Sequence, residues 1–187
     1  MIVQLTSMAK SKMLLMTLLI SIVPVRLAWA QDASPKAGGP PQQFSIEVEV
    51  AAPLGEVWHA FATSEGLSTW LFPNATVDLK PGGDWLVHFP GGNTGGGSIV
   101  SFVPEKELVI AALAPEKFPS VRAERTRAVF TFEPRGNSTV VRLTQSGWKS
   151  GDEWMKAYEY LLAGNAQLMA TLHKRFVEGP VDWSKEK

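Results

Sequence analysis

The groups that could perform chemistry in this 187-residue chain are three histidines, 18 acidic side chains and its hydroxyl residues, since it contains no cysteine. His59, His88 and His173 do not stand at metal-ligand spacing from one another. No G-x-S-x-G motif presents a serine nucleophile. The lack of cysteine excludes disulfides, thiolate nucleophiles and cysteine-ligated zinc. We therefore expect no catalytic residue, no metal site and no cofactor.

A glycine-rich segment at residues 91–97 is a pattern that could hold a phosphate. In phosphate-binding loops a Lys-Ser/Thr pair follows the glycines, and the phosphate sits at a helix N-terminus. Here the segment is followed by a strand pattern, so we predict a mobile hairpin loop beside a pocket mouth. Basic and acidic residues are equal in number, at 18 each, and this balance argues against a nucleic-acid partner.

Aromatic side chains are the strongest site candidates, since the chain has seven Trp and nine Phe. Each of them alone fits a plain core position. Together they exceed what a tightly filled core needs, so we predict an apolar pocket with a few polar groups that orient a ligand. The predicted ligand-binding residues are Trp70, Trp85, Phe89, Phe102, Phe118, Gln145, Trp154 and Tyr158. Phe118, which lies between two prolines, is predicted to form part of a lid.

A second cluster, Arg122, Arg125 and Arg127, lies within one short segment. Charged side chains often protect the edge of a sheet from aggregation. The cluster therefore indicates a solvated edge strand, and the alternative is a surface patch for an acidic ligand or an anionic head group.

The elements that position these side chains follow from the hydrophobic periodicity. Residues 44–50 alternate between apolar and polar types and predict a strand. Residues 54–61 predict an amphipathic helix, and Ser64 can cap a second, short helix. Six more strands are predicted between residues 75 and 145. Residues 114–124, which contain two prolines, are predicted to be irregular.

The last element is a long amphipathic helix. Ser150 and Glu153 match a capping box, and Gly179 with Pro180 ends the helix. A long helix that follows a curved antiparallel sheet packs across its concave face, and two short helices at one end hold the two layers apart. We therefore predict an α+β helix-grip fold, with a seven-stranded curved antiparallel sheet, two short helices, a long C-terminal helix and a central cavity.

Five motifs occur in a characteristic order: residues 52–70 (APLGEVWHAFAT, then Glu65 and Trp70), 78–83 (DLKPGG), 97–108, 130–134 (FTFEP) and 146–148 (SGW). This series resembles the family called activator of heat-shock-protein-90 ATPase homologue-like, within the START-related, Bet v-like superfamily abbreviated SRPBCC. The resemblance covers about residues 44–177. It implies a deep pocket between the sheet and the long helix, with ligands that differ between members.

The first 30 residues have the pattern of a secretory signal peptide. Lys10 and Lys12 precede an apolar stretch at residues 13–23, and residues 28–30 (AWA) form a small-x-small cleavage pattern. Met8 is an alternative start. We predict a signal peptide at 1–30, a flexible linker at 31–43, the ligand-binding domain at 44–180 and a tail at 181–187. The chain is expected to be periplasmic or secreted after cleavage near Ala30, and to meet a membrane only during export.

The sequence therefore predicts an exported protein that binds a small hydrophobic molecule without chemistry of its own. One alternative is an enzyme of the polyketide cyclase/aromatase type that uses the same pocket. Another is a protein-interaction module at the cell envelope. The family name implies a chaperone partner that is cytosolic and consumes ATP. Export would separate the chain from such a partner, so no chaperone partner is expected.

Overall fold

The computed structural model describes residues 40–185, so the predicted signal peptide and residues 31–39 of the predicted linker lie outside the described residues. The elements are β1 (Gln43–Val50), α1 (Leu54–Ala62), α2 (Ser64–Ser68), β2 (Ala75–Val77), β3 (Asp84–His88), β4 (Thr94–Val103), β5 (Glu107–Ala112), α3 (Pro119–Glu124), β6 (Thr126–Arg135), β7 (Ser138–Ser146) and α4 (Asp152–Glu178).

The seven strands form one antiparallel sheet in the order β1-β7-β6-β5-β4-β3-β2. The first strand therefore pairs with the last one, and the register runs from Gln43 opposite Ser146 to Val50 opposite Thr139. On the outer face Glu47 stands opposite Arg142 and forms an ion pair with it. The seven-stranded sheet and the long C-terminal helix confirm the predicted helix-grip fold.

The other face of the sheet is covered by α1 and α4, because both helices present an apolar stripe to it. From α1, Val57 and Phe61 are fully buried, and from α4, Met169 and Leu172 are buried in the same core cluster. Phe61 lies at the centre of an aromatic group, with its ring 4.9 Å from the Trp70 ring. The core is therefore concentrated where α1 and α4 meet the sheet.

The start of α2 differs slightly from the prediction. Its cap is Thr63, whose hydroxyl accepts a hydrogen bond from the Gly66 N–H at 2.9 Å. The Ser64 hydroxyl instead accepts one from the Val77 N–H at 2.8 Å. Ser64 therefore ties the short helix to β2, which is a tertiary contact that local spacing does not reveal.

The predicted capping box at the start of α4 is wrong. The cap position is Gly151, without a side-chain hydrogen bond. The Glu153 carboxylate turns to α3, where it accepts hydrogen bonds from the Ser120 N–H and the Ser120 hydroxyl, both at 2.8 Å, and from the Val121 N–H at 3.4 Å. The Glu153 carboxylate therefore caps the free backbone N–H groups at the start of α3 and not those at the start of α4. Residues 119–124, predicted to be irregular, are therefore helical.

We expect the Glu153→Gln variant to be less stable than the wild type at neutral pH. The Ser120 hydroxyl, helped by two backbone N–H groups, lowers the pKa of Glu153 below its ordinary value of 4.5. A lowered pKa stabilises the fold above pH 4.5, and that contribution is lost as the pH falls through the folded-state value. Urea midpoints of the two proteins, measured from pH 7 downward, should therefore differ at pH 7, and the difference should shrink as the pH falls below 4.5. Glu159→Gln, at an exposed site on α4, is the control.

The glycine-rich segment is mostly strand, which corrects the predicted hairpin loop at 91–97. Only residues 90–92 form a short 3-10 turn, and β4 begins at Thr94. A Cβ atom at Gly96, where φ is +100°, would collide with the Trp85 carbonyl oxygen, and one at Gly97 would collide with that of Ala111. The glycines therefore allow β4 to pass closely between β3 and β5.

The arginine cluster does not lie on an edge strand, because β6 is in the interior of the sheet. Arg122 belongs to α3, and its Nη1 donates to the Ala114 carbonyl at 2.6 Å. Arg125 follows α3 with a φ of 63°, while Arg127 is exposed on β6. The three side chains thus have separate environments, and Arg122 supports the segment that precedes α3.

The predicted tail is attached to the domain as far as Trp183. The Val181 N–H donates to the Thr69 carbonyl at 2.8 Å, and the Trp183 indole N–H donates to the Ser68 carbonyl at 2.7 Å. The Trp183 ring also lies 5.7 Å from that of Phe72. Within residues 40–185, no helix combines the length and apolar character that crossing a bilayer demands.

Candidate ligand-binding cavity

A cavity of about 660 Å³ lies between the sheet and α4. Strands β3 to β7 supply its floor, α4 supplies its roof, and the segment before α3 closes one side. The described residues that line it are Leu71, Trp85, Val87, Phe89, Asn93, Thr94, Gly95, Gly96, Ile110, Ala112, Leu113, Pro115, Glu116, Lys117, Ala128, Phe130, Gln145, Tyr160, Leu161, Asn165 and Leu168.

The floor of the cavity is apolar and contains several small side chains. Ala112 and Ala128 face it, and Gly95 and Gly96 add no side chain at all. The Trp85 ring completes this apolar surface. Its indole N–H donates to the Phe61 carbonyl at 2.9 Å, so this group needs no polar partner in the cavity. The small residues on β4, β5 and β6 therefore leave the volume that larger side chains would fill.

One polar network interrupts this apolar surface. Gln145 on β7 is 2% exposed, and its Nε2 donates to the Thr126 hydroxyl at 2.7 Å. Its Oε1 accepts a hydrogen bond from Asn165 Nδ2 on α4 at 2.8 Å. Gln145 and Asn165 both line the cavity, so this bridge between sheet and helix presents amide groups to whatever occupies the space.

The mouth of the cavity is amphipathic. Phe89 is 40% exposed and Tyr160 is 47% exposed, and the Lys117 ammonium lies 3.5 Å from the centroid of the Tyr160 ring. This distance is in the range of a cation–π contact. Glu116, Lys117 and Tyr160 are the ionisable residues of the cavity lining within the described part of the chain, and all three are exposed. Charge is therefore confined to the rim.

Three of the eight predicted ligand-binding residues line the cavity, namely Trp85, Phe89 and Gln145. Trp70 does not: it is fully buried in the main core, and its indole N–H donates to the Ala60 carbonyl at 2.9 Å. Phe102 is partly buried against the same core. The alternation of residues along strands gives the face correctly but does not distinguish the packed part of that face from the hollow part.

Phe118 and Trp154 belong to a second, smaller cluster that joins α3 to the start of α4. Phe118 is 8% exposed, and its ring centroid lies 5.7 Å from that of Tyr160 at the rim. The lid role assigned to Phe118 stays a prediction. Tyr158 does not line the cavity, and its ring lies 5.5 Å from that of Phe44 on β1.

Among the lining residues that were not predicted, Asn165 is the one that hydrogen-bonds to Gln145. Leu161, Asn165 and Leu168 follow one another at spacings of four and three residues, which places them on one face of a helix. The sequence signal for Asn165 was a single amide side chain between two leucines on an apolar stripe, since a polar group in such a position needs a hydrogen-bond partner. Within residues 40–185, no group of three or more His, Asp or Glu side chains could hold a metal ion.

An antiparallel sheet gripped by a long C-terminal helix, with a lined cavity between them, defines the helix-grip class, the fold of the SRPBCC superfamily. Residues 51–174 match the family model described as "Activator of Hsp90 ATPase homolog 1-like protein". The chain belongs to this family. None of the curated proteins compared with the chain matches it significantly.

Solved structures agree with this assignment at the level of fold. The Aha1 dimer from Colwellia psychrerythraea is 20% identical, with a TM-score of 0.60, and the match covers 73% of this chain and 97% of that one. Protein MLL2253 from Mesorhizobium loti is 19% identical, with a TM-score of 0.62 and coverages of 74% and 99%. DynU16, a putative protein in the dynemicin biosynthetic locus, is 17% identical, with a TM-score of 0.59 and coverages of 75% and 49%.

Proposed function

We propose that this chain is an exported protein that binds a small, largely apolar molecule in the cavity between the sheet and α4, without catalysing a reaction. The observation that carries the proposal is the cavity itself, at about 660 Å³. This volume falls within the range of about 300–1,000 Å³ that is typical of sites for small molecules. Its apolar floor and amphipathic mouth suit a ligand that enters from water and becomes buried.

The distribution of charge favours binding over catalysis. Acid–base chemistry needs an ionisable side chain within hydrogen-bond reach of the substrate, usually with a pKa shifted by burial or by a neighbour. The ionisable groups of the described lining, Glu116, Lys117 and Tyr160, all stand at the exposed rim. The polar groups between the sheet and α4 are the buried Gln145 and the half-buried Asn165, whose amides can orient a ligand but do not exchange protons near neutral pH.

A cyclase-type enzyme is the second candidate, because the similar structure DynU16 comes from a biosynthetic locus. Such an enzyme could use the cavity shape to fold a reactive chain while the amides polarise a carbonyl group. The interaction-module alternative is less favoured, since it requires a filled interior where this domain has a cavity.

The export part of the proposal rests on residues 1–30 alone. Their charged start, apolar stretch and AWA cleavage pattern are those of a secretory signal. An exported chain would not meet a cytosolic ATPase, so chaperone activation is not part of the proposed function. N-terminal sequencing of the protein from the host envelope or medium should give a chain that begins near Gln31. Recovery from the cytosol with residues 1–30 intact would refute export.

Native mass spectrometry of the protein purified from its own host tests the binding function. We expect a fraction of the molecules to carry an added mass of a few hundred daltons, which disappears after organic extraction. Ala128→Phe, which places a ring in the cavity, should lack this adduct, whereas Ala111→Phe on the opposite face of the sheet should retain it. Bare polypeptide in every preparation, with no thermal shift across lipids and aromatic metabolites, would contradict the carrier function. Turnover of a bound polyketide would establish the enzyme.

A further inference from the structure

The Gln145–Asn165 network has hydrogen-bonding capacity that its internal bonds do not use. A glutamine or asparagine side chain offers two N–H donors and one carbonyl acceptor. Gln145 Nε2 gives one N–H to Thr126, and Asn165 Nδ2 gives one to Gln145. One N–H on each amide and the Asn165 carbonyl therefore have no partner among residues 40–185. These spare groups belong to two residues that line the cavity.

The spare hydrogen-bonding groups of this network lie beside apolar side chains. On α4, Asn165 stands between Leu161 and Leu168, and on the sheet Gln145 stands opposite Ala128; all five residues line the cavity. Unsatisfied amide groups against an apolar surface are costly unless water or a ligand bonds to them. Asn165 is half-buried, so water can bond to its spare groups, and one polar group of an otherwise apolar occupant can replace that water.

Resting on the proposed function, we infer that the ligand is an uncharged, mostly apolar molecule with a hydroxyl group that reaches Asn165 and Gln145. A hydroxyl matches the spare set because it donates one hydrogen bond and accepts others. It can donate to the Asn165 carbonyl while it accepts from a free amide N–H. Asn165 is thus the specificity-determining residue of the cavity.

The same lining disfavours an anionic ligand deep in the cavity. A buried carboxylate needs a cation or several donors to replace its hydration. The cationic side chain of the described lining, Lys117, is exposed at the rim and lies over the Tyr160 ring. A fatty acid inserted head first would leave its charge beside the amides and the leucines of α4. The cavity therefore selects an alcohol over a carboxylate of the same size.

Three matched naphthalenes test this inference: 2-naphthalenemethanol, 2-ethylnaphthalene and 2-naphthoate, which differ only in a hydroxymethyl, ethyl or carboxylate group. Their dissociation constants are measured by displacement of the neutral dye N-phenyl-1-naphthylamine. In a cavity without polar partners the ethyl compound would bind roughly tenfold or more tightly than the alcohol. We expect the wild type to bind the alcohol at least as tightly as the ethyl compound, and the carboxylate roughly a hundredfold more weakly.

The Asn165→Leu variant isolates the network. It should weaken binding of the alcohol by roughly tenfold relative to the ethyl compound, while Gln167→Leu, at an exposed site on the same helix, should not change this ratio. If both neutral compounds bind and their ratio does not depend on Asn165, the inference fails while the carrier function stands. Tightest binding of the naphthoate would overturn the inference as well. If neither the dye nor a neutral naphthalene binds, the proposed function fails and the inference fails with it.

Discussion

The Ala128→Phe variant should lose affinity for N-phenyl-1-naphthylamine by at least about tenfold, the factor that corresponds to 1.4 kcal/mol. Ala128 lies on the cavity floor, opposite Gln145 in the sheet, so a phenyl ring at this position occupies the space of the ligand. The unfolding free energy should change by less than about 1 kcal/mol, because the ring enters open volume rather than a filled core. Fluorescence titration and urea denaturation measure the two quantities.

Ala111→Phe is the matched control for this variant. Ala111 is the neighbour of Ala112 on β5, and successive side chains of a strand point to opposite faces. The added ring therefore lies on the outer face, and dye affinity should be unchanged. A loss of about 1–3 kcal/mol in Ala128→Phe, the usual effect of overpacking, would show that the space is already filled.

Trp70→Ala should cause a large loss of stability, about 3–5 kcal/mol. Trp70 is fully buried, its ring packs 4.9 Å from that of Phe61, and its indole N–H donates to the Ala60 carbonyl. Such a loss is a large part of the total of about 5–15 kcal/mol for a typical domain. The urea midpoint, followed by circular dichroism, gives the change in free energy.

Trp70→Phe separates the two contributions. It retains an aromatic ring and loses a hydrogen bond worth about 1 kcal/mol, so its destabilisation should be smaller than that of the alanine variant. Trp70 does not line the cavity, and dye affinity measured well below the unfolding transition should be unaffected in both variants. Weaker dye binding at unchanged stability would instead make Trp70 a ligand contact, as the sequence analysis predicted.

The fold could be predicted from the sequence because its signals are local and repeated. Alternation in residues 44–50 defined β1, and the apolar stripe of α4 defined the gripping helix. The errors occurred where a distant element competes with a local partner. Glu153 matches a capping box in sequence, yet its carboxylate binds the start of α3, 33 residues away. Glycines 95–97 suggest a loop in sequence, yet they belong to β4, where the backbone at Gly96 and Gly97 passes close to the neighbouring strands.

The candidate site could be predicted only in part. Trp85 and Gln145 line the cavity, in agreement with the strand alternation that places them on the face towards the helix, and their contact with a ligand stays a prediction. Trp70, Trp154 and Tyr158 also have apolar surroundings, but the packing of the helices on the sheet decides whether those surroundings are filled or hollow. The volume depends on the small size of side chains such as Ala112 and Ala128, which line the cavity. Aromatic content, on which the prediction relied, identifies cores and cavities equally.

Methyl NMR during titration with N-phenyl-1-naphthylamine tests the central claim most directly, because it locates the ligand. The account predicts shifts of the methyl signals of Ala112, Ala128 and Leu168, which line the cavity. The signals of Val100 and Val103, which are 49% and 48% exposed on β4, should stay in place. Shifts restricted to those two surface valines would contradict a cavity between the sheet and α4 as the binding site.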